Sequence, residues 1–173
     1  MKTSEGKKQA PESVAQIIAS AGGKVVGRTR LQKLAYLLEL SGLGEGFQFS
    51  YRHYGPFSEG LATAARDAML LGLIVEEEQP ASWGGSYSIY TTSLVPERPD
   101  WSGLARVASG ADPVELELAA TAAFLALEEQ VADPWQETAR RKPEKAEGER
   151  LSRARELYRK LSELETPRRL PNI

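Results

Sequence analysis

The sequence predicts a mainly α-helical α+β protein, in which a winged helix-turn-helix domain is followed by a C-terminal helical extension. Two observations predict this class. The first half of the chain reads as helix, helix, short strand, helix and β-hairpin, which is the element order of a winged helix. The second half is rich in Ala and Leu at helical spacing. A chain of 173 residues is long enough to bury a core without disulfides.

The first two helices are predicted between Pro11 and about residue 40. Pro11 is expected to open the first helix, because proline is tolerated at a helix start. In the second helix, Thr29 and Gln32 have the spacing of a capping box, and the apolar residues that follow lie on one face. Residues 1–10 are polar without an apolar period, and we expect them to be disordered.

A short strand, a turn and a third helix come next. The alternation of apolar and polar residues over Phe47–Tyr51 predicts the strand. The Gly-Pro pair inside Tyr54–Ser58 predicts a turn. Ser58 is expected to cap the third helix, whose apolar face includes Leu61 and Met69.

A hairpin and a helical region complete the predicted architecture. Two alternating segments around Gly84 and Gly85 predict the hairpin, or wing. Asp112 and Asp133 each precede a proline and are expected to cap helices, and a last helix is predicted over Pro143–Leu164. The predicted boundaries are residues 1–10 for a disordered N-terminus, 11–95 for the winged helix, 96–111 for a linker, 112–165 for the helical region and 166–173 for a tail.

The composition argues against catalysis and against a cofactor or metal site. The chain has no cysteine, so it can hold neither a thiolate nucleophile nor a thiolate metal site. Its one histidine, His53, lies in a predicted turn, and no phosphate-binding glycine loop is present. The polar N-terminus and the lack of a run of about 18 apolar residues predict no membrane segment and a cytoplasmic location.

Basic residues near the second helix are candidates for contacting nucleic acid. The candidate residues are Lys24, Arg28, Arg30, Lys33 and Arg52. The helix before the wing, however, holds one basic residue, Arg66, and the wing carries the acidic run Glu76–Glu78. Because acidic groups repel phosphates, this pattern favours a protein partner over duplex DNA.

A second set of residues is predicted to bind a protein partner. It consists of Tyr36, Tyr54, Pro56, Phe57 and Trp83. Trp83 is either an exposed anchor or packed back on its hairpin, and we expect the latter. The Ala/Leu-rich helix over residues 113–131 is too apolar to stay exposed, and we expect it to pack within the monomer, with a homodimer through the C-terminal helices as the alternative. The basic end, residues 140–173 with a net charge of +5, is expected to be a solvated amphipathic helix.

Two stretches carry a resemblance to known families. Residues 27–38, GRTRLQKLAYLL, and 49–58, FSYRHYGPFS, resemble the uncharacterised bacterial YwgA-like family, and so do 116–121, LELAAT, and Lys142-Pro143. This resemblance covers about residues 12–164. Over residues 28–75 the chain is similar to the Panacea (SocA-like) antitoxin domain. Separately, the Leu-Gly-Leu-Ile segment before the hairpin resembles the wing entry of MarR and PadR regulators.

These resemblances imply different functions. The Panacea domain implies neutralisation of a toxin by protein contact, whereas MarR and PadR imply DNA binding and dimerisation. Fold-level likeness does not decide between them. We therefore expect a non-enzymatic, antitoxin-like or accessory module that binds a protein partner, either a toxin or a complex subunit. The alternative is a dimeric DNA-binding transcriptional regulator that uses the basic residues around the start of the second helix, namely Lys24, Arg28, Arg30 and Lys33.

Overall fold

Seven α-helices and five short strands form a mixed, mainly helical α+β fold in residues 2–173. This is the part of the chain that the computed structural model describes, with side chains from residue 9 onward. The elements are α1 (Lys2–Ser20), β1 (Lys24–Val26), α2 (Arg28–Leu40), β2 (Ser50–Arg52), β3 (Gly55–Phe57), α3 (Glu59–Leu70), β4 (Val75–Pro80), β5 (Ser86–Thr91), a 3₁₀ turn (Pro99–Trp101), α4 (Ser102–Gly110), α5 (Pro113–Leu127), α6 (Pro134–Arg141) and α7 (Arg150–Ser162).

The larger sheet has three antiparallel strands in the order β1-β5-β4. Strands β4 and β5 form the predicted hairpin, with Glu78 opposite Ser88. Strand β1 pairs with the other edge of β5, where Val25 lies opposite Tyr90, and both side chains are buried. Three residues are too few to show an alternation, so β1 cannot be predicted from the sequence.

A second hairpin is inserted between α2 and α3. Strands β2 and β3 pair Tyr51 with Pro56. The strand predicted over Phe47–Tyr51 is therefore displaced toward the C-terminus, and the predicted turn supplies β3. Phe47 and Phe49 are partly buried and pack against the core without a strand partner, which explains why an alternating pattern occurs outside a sheet.

The predicted start of α2 is wrong. Gly27 is the N-cap, and no side chain caps the helix, so Thr29 and Gln32 do not form a capping box. Gln32 instead bonds to the backbone of Ser58, 26 residues away. The other predicted caps are confirmed. The hydroxyl of Ser58 accepts from the backbone N–H of Leu61, and the carboxylates of Asp112 and Asp133 accept from the first turns of α5 and α6.

The first helix and the predicted linker also differ from expectation. Helix α1 contains Pro11 instead of starting there. The predicted disorder of residues 1–10 falls largely on residues 1–8, which lie outside the described side chains, and it stays a prediction. Residues 96–111, predicted as a linker, contain secondary structure, because Pro99 opens a helical turn that continues into α4. Trp101 is buried there, and its indole Nε1 donates to the carbonyl of Leu43 over 2.9 Å.

Helix α5 is the centre of the C-terminal half. Every residue from Leu116 to Leu125 is buried, against α2, β3, α6 and α7. The prediction that this helix packs within the monomer is confirmed, although Leu127 on its predicted stripe is exposed, as is Met69 on the stripe of α3. A homodimer would have to use other surfaces and stays a prediction. The last helix is shorter than predicted, because residues 143–149 form turns.

The C-terminal residues pack on the rest of the fold. Leu170 is buried, and the Arg168 backbone N–H donates to the carbonyl of Ser41 over 2.9 Å. Within residues 2–173, none of the helices combines the length and the apolar character that crossing a bilayer would require.

Candidate partner-binding groove

An open groove lies between the β4–β5 hairpin and the start of α2, and we call it the wing groove. Its volume is about 780 Å³, and the turn of the β2–β3 hairpin and the start of α5 complete its walls. The residues on which its properties depend are Arg28, Arg30, Tyr54, Pro80, Trp83 and Tyr87. Four of these residues were predicted as binding residues, two in each candidate set.

Two aromatic side chains on the walls of the wing groove are exposed to solvent. Trp83 is 76% exposed, so the expectation that it packs back on the hairpin is wrong. The two residues that follow it, Gly84 and Gly85, have no side chains against which the indole could be buried. Tyr54 is 52% exposed. Its ring stands edge-on to His53 at 4.8 Å between centroids, and the Lys145 Nζ lies 4.5 Å from its centroid.

Arg28 joins α2 to the β4–β5 hairpin. Its Nε and Nη2 donate to one carboxylate oxygen of Glu76 at 3.1 and 3.0 Å, and the Ser88 hydroxyl donates to the same oxygen at 2.7 Å. Glu78 lies 3.6 Å from Arg28 as well. The hydrogen bond to Glu76 raises the pKa of Arg28. Partial burial opposes ionisation of Glu76, but the bonds from Ser88 and Arg28 prevail and lower its pKa.

The other residues predicted to contact nucleic acid lie on different elements, and most of their side chains already bond to groups of the chain. Arg30 donates to the carbonyls of Ala111 and Val26, and burial lowers its pKa. Arg52 pairs with Glu59 over 2.7 Å on the surface. Lys33 is 1% exposed and cannot reach a phosphate, so its prediction as a nucleic-acid contact is wrong. Lys24 alone of this set is exposed and makes no side-chain ion pair within residues 9–173.

Several residues of the stretches 27–38, 49–58 and 116–121 meet in the interior together with Lys142, at a site that we call the buried junction. It joins α2, the β2–β3 hairpin and α5 through Gln32, Lys33, Gly55, Pro56, Ser58, Glu117, Thr121 and Lys142. The Gln32 amide donates to the Ser58 carbonyl at 3.0 Å and accepts from its N–H at 2.8 Å. The Lys33 Nζ donates to the Pro56 carbonyl at 2.7 Å. Helix α2 and the segment from β3 to the start of α3 therefore hold each other in place.

Two residues predicted to bind a partner belong to this interior instead. Tyr36 is buried, and its ring packs at 5.1 Å from that of Phe49 and 6.0 Å from that of Phe124. Burial raises its pKa strongly. Pro56 is buried on β3, and Phe57 is half-buried. The prediction is wrong for Tyr36 and Pro56, because aromatic and apolar character marks a core as well as an interface.

A buried ion cluster forms the far side of the junction and is missed by sequence reasoning. Glu117 is 2% exposed. Its carboxylate accepts from the Lys142 Nζ at 3.1 Å and from the Lys145 Nζ at 2.6 Å, and Lys142 also donates to the His53 carbonyl at 2.9 Å. One signal could have revealed it, namely a glutamate within an otherwise apolar helical run, which must find a cation when buried.

Lys33 completes this cluster as a third amine. Burial lowers its pKa to about 7, and the positive charges of Lys142 and Lys145 act in the same direction, while Glu117 opposes them. Pro56 is the one hydrogen-bond acceptor that the structure gives this amine within residues 9–173. The Thr121 hydroxyl is also buried there, without a hydrogen-bond partner in the described part of the chain.

No protein-family model matches the chain, and a comparison with curated proteins gives no match either.

Proposed function

We propose that this chain is a winged-helix protein that acts by binding a protein partner in the wing groove and that it has no catalytic role. The element order supports the winged-helix assignment, since α1, β1, α2, α3 and the β4–β5 hairpin follow one another with the β2–β3 hairpin as an insertion. The sheet order β1-β5-β4, with the hairpin at one edge, also agrees with it.

The observation that carries the binding proposal is the exposure of Trp83 and Tyr54, which line the same groove. Large aromatic side chains are enriched at interfaces, where they supply much of the binding free energy when they become buried. When two of them are exposed in one groove, a partner that covers them removes their apolar surface from water, which favours binding. The resemblance to the Panacea domain suggests a toxin as the partner, and a complex subunit is the alternative. The location that we propose for this interaction is the cytoplasm, as the polar N-terminus predicts.

Site-specific photo-crosslinking in cells that produce the protein tests this proposal. A benzoylphenylalanine at position 83 should form an adduct with a specific protein, and Tyr54→Ala should abolish it. The matched control places the same group at Ser152, which is exposed on α7 and far from the groove in sequence. Adducts at position 83 that are no more specific than those at position 152 would overturn the proposal.

Duplex DNA is the competing outcome, and an anisotropy titration at low and moderate salt detects it. Binding that weakens steeply with salt and is lost in a Lys24→Glu/Arg52→Glu variant would favour a dimeric transcriptional regulator. These two positions are chosen because both side chains are exposed, so that charge reversal there leaves the core intact. Reversal at Lys33 would disrupt the buried junction and could not be interpreted.

A further inference from the structure

The lining of the wing groove combines aromatic side chains with proline rings. Trp83, Tyr54 and Tyr87 line it together with Pro80 and Pro113. Aromatic planes of this kind pack well against the pyrrolidine rings of a ligand, and grooves lined by Tyr and Trp recognise proline-rich segments in several unrelated domains.

The same three aromatic side chains offer hydrogen-bond donors that the protein does not use. Trp101 and Tyr158 each donate to a carbonyl of the chain. The Trp83 indole and the hydroxyls of Tyr54 and Tyr87 donate to no acceptor among residues 9–173. A polyproline II segment forms no internal hydrogen bonds, so its carbonyls are free to accept from such donors. The carbonyls of a helical ligand are already satisfied, and a helix would leave these donors unused.

The charges in the groove disfavour an anionic ligand. Arg28 is compensated by Glu76 and approached by Glu78, and Arg30 is held by two carbonyls. An anionic ligand would have to displace a carboxylate from Arg28 before gaining an ion pair, which makes the groove a poor anion site. A neutral segment makes no such demand.

The shape of the surface favours an extended ligand. Arg28 also lines a second depression of about 510 Å³, which runs between α2 and α3 and is bounded by Phe57 and Met69. Arg28 lines both depressions, so an extended segment that passes Arg28 can follow both of them, whereas a compact ligand would fill only one.

We propose that the wing groove binds a proline-rich segment of the partner in the polyproline II conformation. This inference rests on the proposed function and specifies the chemistry of the partner segment. The aromatic planes contact the proline rings, and the indole and phenol groups donate to the backbone carbonyls of the segment.

Tryptophan fluorescence of the full chain tests this proposal directly. Trp101 and Trp135 are buried, so the response of exposed tryptophan to a quencher reports on Trp83. The probe is decaproline, and a Gly-Ser peptide of the same length is the control. We expect decaproline to give a saturable blue shift and to protect Trp83 from acrylamide. Tyr54→Ala should weaken decaproline binding by about tenfold or more, whereas Leu127→Ala, an exposed change on α5, should leave it unchanged.

The outcomes separate this proposal from the one on which it rests. An unchanged Trp83 signal in decaproline, or an equal response to the Gly-Ser peptide, would overturn the proline-rich partner. The proposed function would still stand if the crosslink at position 83 forms and depends on Tyr54. Loss of both results would overturn both proposals.

Discussion

The buried junction and the wing groove differ in what their side chains contact. At the junction, Lys33 and Lys142 are buried and donate to carbonyls or to Glu117. At the groove, Trp83 and Tyr54 face water. The junction is built from α2, the β2–β3 hairpin and α5, whereas the groove is completed by the tip of the β4–β5 hairpin. The polar side chains of the junction therefore satisfy one another inside the fold, whereas the aromatic side chains of the groove stay in contact with water.

The largest expected effect on stability comes from removing the Glu117 carboxylate from the buried ion cluster of the junction. Glu117→Ala leaves Lys142 buried without its counter-ion, and breaking a buried pair in this way costs about 3–5 kcal/mol. Urea denaturation measures the change in the free energy of unfolding. Glu128→Ala, an exposed change at the end of the same helix, is the control and should stay within about 0.5 kcal/mol. A loss below about 1 kcal/mol for Glu117→Ala would show that the pair is solvated.

A smaller effect is expected at Gly55, where the β2–β3 hairpin lies against α5. Its φ is +88°, and an added Cβ would lie 2.4 Å from the Thr121 hydroxyl oxygen. Backbone strain and overpacking together should make Gly55→Ala lose about 2–4 kcal/mol of stability. Gly84→Ala is the matched control, because its φ is +94° and its Cβ would meet open space. It should lose about 1–2 kcal/mol, from strain alone.

A double-mutant cycle sharpens this prediction. Thr121→Ala removes the atom that the new Cβ would overlap, so it should restore part of the stability lost in Gly55→Ala. Equal losses for Gly55→Ala and Gly84→Ala, without rescue by Thr121→Ala, would mean that the close approach of the hairpin to α5 carries no energetic weight.

Lys33 should make stability depend on pH. Burial lowers its pKa to about 7 in the folded protein, whereas the ordinary value of 10.5 applies to the unfolded chain. Between these two values the unfolded chain binds more protons, so the free energy of unfolding rises with pH, by at most about 1.4 kcal/mol per unit. Below about pH 7 the amine is protonated in both states, and the full penalty of its burial remains.

Lys33→Met removes this titration while keeping an unbranched side chain of similar length. We expect the stability of the unaltered protein to rise relative to that of Lys33→Met between about pH 7.5 and 9.5, with a slope near 1.4 kcal/mol per unit. Urea unfolding at several pH values measures this difference. If the difference in the free energy of unfolding between the two proteins stays constant over this pH range, the Lys33 amine has the same pKa in the folded and the unfolded chain.

The sequence predicts those features of the molecule that depend on neighbouring residues. The caps at Ser58, Asp112 and Asp133 need only three or four residues, and all three form. The hairpin after α3 is equally local. The prediction fails at Gln32 for the same reason, since its spacing from Thr29 imitates a local cap while its true partner is Ser58. It fails at Lys33 because burial of a lysine depends on where α5 and β3 pack.

Removing an aromatic side chain from the wing groove should have the smallest effect on stability. The Trp83 indole is mostly exposed and makes no hydrogen bond within residues 9–173, so Trp83→Ala should change the free energy of unfolding by no more than about 0.5 kcal/mol. Urea denaturation followed by circular dichroism measures this change without relying on tryptophan emission. A loss above about 1 kcal/mol would mean that the indole supports the hairpin. If the loss is small, reduced partner binding by Trp83→Ala reports a lost contact in an intact fold, whereas reduced binding by Glu117→Ala reports only the lost fold.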